Sequence, residues 1–207
     1  MKRFAFIVSF VFMAIVALPT EASAQFDLSN LFGGSSSSSK KSPYQTLAEN
    51  APSANSVIGV WKYDNVGIDY LGTNSFADVA IDQVEDYARE ELRNAGIMPG
   101  CFSIKLNSNG TARFIYEDYV YSGKYTYDSS NARFRIEATA DNGKTISCGG
   151  FLKMTSSGKL VVMFKAEDAI RAFRTVAPDA DDSTMFEMVE DVVESFSGIY
   201  LSLRCMR

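Results

Sequence analysis

Few side chains in this sequence are suited to chemistry, and the most suggestive are Tyr119, Tyr121, Tyr125 and Tyr127, which alternate along one stretch with Gly123 between them. In an extended strand all four phenols share one face. Turned inward, they would line a cavity that is apolar yet has hydroxyls to orient a ligand. Turned outward, they would make an aromatic ladder for a protein partner or a carbohydrate. Covered by a helix or packed into a core, they would be structural. The chain has no histidine, which removes Ser-His-Asp and Cys-His nucleophile pairs and any His-ligated metal.

Other candidates are weaker. Cys101, Cys148 and Cys205 lack the close spacing of a redox or zinc motif. In an oxidising compartment the default is a disulfide with one odd thiol left over; Cys101 is expected to be bridged, with its partner open between the other two. Alternation sets Cys148 and Cys205 on the apolar face and Cys101 on the other. Asp179, Asp181 and Asp182 cluster as calcium ligands do, but without the glycine and distal glutamate of an EF-hand loop, so they read as helix-start charge. Glu117-Asp118 sits in a tight turn, so a glycosidase-type carboxylate pair has no independent support there. Asn109-Gly110-Thr111 matches a glycosylation sequon, but Asn-Gly is foremost a hairpin turn. No catalytic set, cofactor or metal is expected from these residues.

The elements that must position the tyrosines begin after a leader. Lys2 and Arg3 precede an apolar run from Phe4 to Leu18, then Pro19 and the small-residue box Ala22-Ser23-Ala24. This is the pattern of a secretory signal peptide over residues 1–24, cleaved after Ala24, and the run is short of the roughly twenty residues a membrane span needs. The mature chain is expected to be exported, periplasmic or secreted, with no transmembrane segment. Losing Lys2, Arg3 and Glu21 moves the net charge from −5 to −6. An acidic chain in which the sequence shows no basic stripe is a poor partner for nucleic acid. At 46% hydrophobic and 13% aromatic residues it can bury one sizeable core.

Residues 25–54 read as a flexible tether, because Gly33-Gly34, the run Ser35 to Ser39 and Lys40-Lys41 offer little apolar surface to offset chain entropy. The domain, residues 55–207, opens with a strand over Val57–Tyr70 that carries the chain's single tryptophan, Trp61. A helix follows, with Phe76, Val79, Ala80, Val84, Tyr87, Ala88, Leu92 and Ala95 at helical spacing and Gly96 as its C-terminal cap. Its charged residues, among them Glu85, Asp86, Arg89, Glu90 and Arg93, read as a solvated face. From Cys101 the period changes to two, and turn signals arrive every ten or so residues: Asn107–Gly110, Asp128–Asn131, Asp141–Gly143 and Ser156–Gly158. Two further helices are expected before the last strand, one around Ala169–Val176 and one from a Thr184/Glu187 capping box to Phe196. The last strand then alternates Ile199, Leu201, Leu203 and Cys205. The fold class is mainly β with helices: an antiparallel up-and-down barrel of about eight strands, one helix between strands one and two and two before the last. A barrel of that size is either filled by side chains or just holds one small ligand.

Gly59-x-Trp61 at the head of such a meander resembles the Gly-x-Trp opening of the lipocalins. In secreted lipocalins that tryptophan packs across the barrel floor against a basic residue of the last-strand region, and the resemblance implies that Arg204 has this part. The order GVWKY, a helix ending in NAGI, then NSNGTARF, SGKYTYD and FKAEDAI, resembles a family of uncharacterised lipocalin-like exported proteins of Gram-negative gut bacteria, over residues 55–207. The helix between the first two strands is closer to fatty-acid-binding proteins than to secreted lipocalins. The resemblance implies the barrel and leaves the ligand open. The expected function is noncatalytic binding of a small apolar or amphipathic molecule; the rival is a filled-barrel module that engages an envelope protein.

Overall fold

The computed structural model describes residues 42–72, 85–86, 89–90, 92–93, 96–116, 119–139, 143, 145–176 and 198–207. Eight strands, β1 (Gly59–Tyr70), β2 (Phe102–Leu106), β3 (Thr111–Tyr116), β4 (Tyr119–Asp128), β5 (Arg133–Thr139), β6 (Thr145–Met154), β7 (Leu160–Lys165) and β8 (Ile199–Met206), pair in sequence order and close into one antiparallel barrel. Closure falls on β1 and β8, from Lys62↔Met206 to Tyr70↔Ile199, with Asp64 bulged out between Tyr63 and Asn65. A closed sheet leaves no strand unpaired along its whole length, and the bulge adds the local bend that closure needs.

Alternation explains the strands. Phe102, Ile104 and Leu106 of β2, and Leu160 and Val162 of β7, point into one buried cluster. Lys105, Arg113 and Lys124 lie at alternate, outward positions. The hairpin turns rest on Gly110 (φ +79°), Gly143 (φ +78°) and Gly158 (φ +78°), as their dipeptides predict. The interior cluster joins Trp61, Tyr63, Val66, Ile104, Leu152, Leu203 and Cys205, among others. A second, smaller cluster on the outside of β6 to β8 brings Phe151, Val161, Met163 and Tyr200 under Leu47.

Leu47 belongs to α1 (Pro43–Glu49), and a short α2 (Ala54–Val57) precedes the barrel. The tether expectation over 25–54 therefore does not hold for residues 42–54, and Val57 ends a helix instead of opening β1. The signals were present: Ser42 and Gln45 form a capping box with Pro43 in the first turn. Residues 1–24 and 25–41 lie outside the described residues. α3 (Ala166–Val176) continues from β7, and its Ala166, Ala169 and Ile170 join the interior cluster across that end of the barrel. The expected helix over 184–196 lies outside the described residues, as do Asp179, Asp181, Asp182 and the Glu117-Asp118 turn. No helix among the described residues is long and apolar enough to cross a membrane.

Between β1 and β2, the described residues Glu85, Asp86, Arg89, Glu90, Leu92 and Arg93 are helical, and Gly96 (φ +82°) closes the turn with Gly96 N–H to the Arg93 carbonyl (2.9 Å) and Ile97 N–H to the Leu92 carbonyl (2.8 Å). This is the Schellman cap that glycine there implies. The solvated-face reading fails at Glu85, which is 8% exposed. β1 pairs with β2 only over Gly59–Lys62, so its far half has no strand on that side. The Glu85 carboxylate accepts from the Ile68 N–H (2.8 Å), and Arg89 Nε donates to the Val66 carbonyl (3.3 Å). Two side chains thus take the hydrogen bonds a neighbouring strand would have taken.

Candidate ligand site

The floor is set by Gly59, whose φ of +144° suits only glycine as the chain turns from α2 into β1. Trp61 follows at 1% exposure, with its indole N–H donating to the Val57 carbonyl at 2.8 Å. The basic residue against it is Arg207, whose guanidinium lies 4.9 Å from the ring centroid and donates to the Ser56 carbonyl at 3.0 Å. Arg204 does not have the part expected of it. It points outward, pairs with Glu85 (Nη1–Oε1 3.0 Å), and fits only because Gly67 beside it has no Cβ, which would stand 2.7 Å from Arg204 Nη2.

The strand register puts Tyr121, Tyr125 and Tyr127 on the inward face, opposite Phe114, Ile136 and Phe134 in turn, and pairs Tyr119 with Tyr116. They do not form one wall. The Tyr125 hydroxyl donates to the Asn107 carbonyl (2.9 Å) in the β2–β3 turn, and its ring lies 6.0 Å from Phe134. The Tyr127 hydroxyl donates to the Pro52 carbonyl (2.6 Å), fastening the α1–α2 segment to the floor. Burial pushes the Tyr125 phenol up, and burial with the nearby Asp128 carboxylate pushes Tyr127 up to about 12. Tyr121 is half-buried higher in the barrel, and the side chain of Tyr119 lies outside the described residues.

Packing changes along the barrel. Toward the floor Trp61, Ile104, Leu106, Ala112, Leu152, Leu160, Val162 and Cys205 are all at most 2% exposed. Toward the end at which β7 runs into α3, Ile68, Phe114, Tyr116, Cys148, Phe164 and Ile199 pack on the same cluster but are only partly buried. None of the inward-facing positions of the eight strands, as the register assigns them, carries a charged residue.

The three cysteines are thiols, with no disulfide joining them, and Cys101 packs against the same interior cluster as Cys148 instead of facing away. Burial pushes the Cys148 thiol up to about 12, with the Asp168 carboxylate adding to it, and burial does the same for Cys205. Thiols held protonated in this way are poor nucleophiles. Among the described residues no group of three or more cysteines and carboxylates could hold a metal ion.

A separate cleft of about 310 Å³ opens outside the barrel between α1, α3 and the start of β8, lined by Tyr44, Lys165, Glu167, Asp168, Arg171 and Tyr200. Sequence reasoning missed it, since Tyr44 falls in the expected tether and the charges look like an ordinary helix surface. Asp168 is committed locally: it accepts from the Gly149 N–H (2.9 Å) and pairs with Arg171 (3.3 Å). Tyr200 is buried and hydrogen-bonded with Tyr44, which raises its phenol. Neither arrangement leaves a poised acid, base or nucleophile.

No curated protein and no solved structure matches the chain. A family described as Lipocalin-like domain (DUF4923) matches residues 36–207, a span that takes in α1, α2 and the whole barrel. With the closed eight-stranded barrel, the Gly-x-Trp floor and the arginine over its indole described, the chain belongs to this lipocalin-like domain family.

Proposed function

We propose that the chain is a noncatalytic exported binding domain, its residues 1–24 removed after Ala24, that takes a small apolar or amphipathic molecule in the half of the barrel facing α3. The observation that carries the reading is the change in packing: Trp61, Leu106, Leu160 and Cys205 at 2% exposure or less toward the floor, and partly buried Ile68, Phe114, Tyr116 and Phe164 above them. A site with apolar walls edged by aromatic rings such as Tyr116 suits an apolar or amphipathic ligand. The lack of charged residues at the inward positions favours carriage over catalysis, because acid–base work needs a titratable group within reach of the reacting atom.

The second reading is a filled-barrel module that engages an envelope protein. It is favoured by the floor itself, where the Tyr125 and Tyr127 hydroxyls are already used on the Asn107 and Pro52 carbonyls. Native mass spectrometry of mature protein purified from its own envelope fraction separates the two. An adduct that leaves on denaturation supports the carrier. A bare polypeptide mass, repeated after incubation with lipid extract, retires the carrier and leaves the filled barrel.

A further inference from the structure

The outer face of β1 to β4 carries a pattern invisible in the linear sequence. Barrel register sets Val60, Lys105, Arg113 and Ser122 in one row across four strands, and Lys62, Ser103, Ile115 and Val120 in the next. Lys124 follows on β4, opposite Thr111. Among the described residues, the outward positions of β2 and β3, and of β4 from Val120 to Lys124, hold no acidic side chain. Glu137, opposite Lys124 on β5, is paired with Arg135 at 3.4 Å.

Lys105 and Arg113 stand directly opposite each other, an arrangement that costs stability because like charges across a strand pair repel. The chain as a whole is acidic, with a net charge of −5, so a face of four cations, Lys62, Lys105, Arg113 and Lys124, is not an average of its composition. Between them stand apolar side chains with no cover: Val60 is 43% exposed and Val120 54%. A local rule broken without a structural return points to a partner.

We infer that this face is a docking surface for an anionic phospholipid bilayer. Cations spaced about one strand apart meet phosphate headgroups, and the valines enter the boundary between headgroups and acyl chains. A surface for single-stranded nucleic acid would call for stacking aromatics among the cations. The described outward positions here offer none.

The test uses the mature chain and sedimentation with vesicles of phosphatidylcholine, alone or with about 30% phosphatidylglycerol. Binding is expected only to the anionic vesicles, and to be lost between about 0.1 M and about 0.5 M salt as screening shortens the reach of the charges. Each cation removed should weaken binding about fivefold, so K105Q/R113Q should lose about 25-fold. The same pair should hold or raise the urea midpoint, because it relieves the repulsion between β2 and β3. Val120→Ser should weaken binding without changing its salt dependence. Lys165→Gln, on the cleft by α3, should bind as the native chain does. No binding to anionic vesicles at low salt, or equal binding by K105Q/R113Q, overturns the proposal. So does equal or tighter binding to an oligonucleotide in competition with the vesicles.

Discussion

The Arg207 guanidinium lies over the Trp61 ring, 4.9 Å from its centroid, and reaches past it to the Ser56 carbonyl. One side chain thus ties the end of β8 to the floor and to α2. Arg207→Ala should cost about 1 kcal/mol, combining a solvent-exposed cation–π contact with an exposed hydrogen bond from a charged donor. Urea unfolding followed by Trp61 emission reads this directly. Arg204→Ala should also destabilise, but should leave the native Trp61 emission unchanged, since Arg204 faces Glu85 on the outside.

Glu85 serves the Ile68 N–H and pairs with both Arg89 and Arg204. Removing it leaves two cations facing a strand edge. Glu85→Ala should cost about 2–3 kcal/mol, at or below the lower end of the range for a broken buried pair because both arginines are part-exposed. Glu85→Gln should recover part of this by keeping an acceptor for Ile68. Hydrogen exchange of the Ile68 amide should rise in the alanine variant and much less in the glutamine one.

Gly150 lets β6 approach β7: a Cβ there would stand 1.7 Å from the Met163 carbonyl oxygen, a backbone atom that cannot step aside. Gly150→Ala should therefore cost about 3 kcal/mol or more, at or beyond the usual range for overpacking. At Gly149 the added methyl would meet only an Asp168 carboxylate oxygen at 3.2 Å, so Gly149→Ala should cost clearly less. Paired thermal melts of the two variants decide the point.

Cys148 and Cys205 have thiols pushed from 9.0 up to about 12 in the folded chain. The neutral form is favoured by folding, so their contribution to stability is full below pH 9 and is lost as pH rises from about 9 to about 12. Tyr127 acts in the same direction, from 10.0 to about 12. Unfolding midpoints should fall steadily above pH 9. At pH 8 a thiol reagent should leave Cys148 and Cys205 unmodified in the native chain and find three thiols in denaturant, where a disulfide would leave one.

Much of the barrel was legible because period-two alternation and glycine turns are local signals. β6 (Thr145–Met154) falls between the Asp141–Gly143 and Ser156–Gly158 turn signals, and the shared face of Tyr121, Tyr125 and Tyr127 follows from spacing alone. What alternation does not carry is where each hydroxyl ends: Tyr127 meets Pro52 seventy-five residues away. Helical periodicity assigned Glu85 to solvent because it weighs only the helix and cannot register a strand edge in need of an acceptor. The composition of the serine run sets the reading of the whole stretch before β1, and the Ser42/Gln45 capping box of α1 lies just beyond that run. The basic face was missed for a similar reason, since Lys62, Lys105, Arg113 and Lys124 become neighbours only through register. The family resemblance was right about a basic residue over Trp61 and three positions off in naming it.

The β1–β8 ladder, which joins Lys62 to Met206, has a kinetic meaning. Each of the other seven strand pairings joins consecutive strands, so most of the sheet can grow by local steps. The closing pairing must bring together the two sequence ends of the barrel, at the full loop-closure entropy, before its contacts repay the cost. Until then β1 and β8 are both open edges, and the side chains of Glu85 and Arg89 are placed to shield the one edge of β1 that no strand covers in the folded barrel. Closure is thereby steered to the side where β8 belongs.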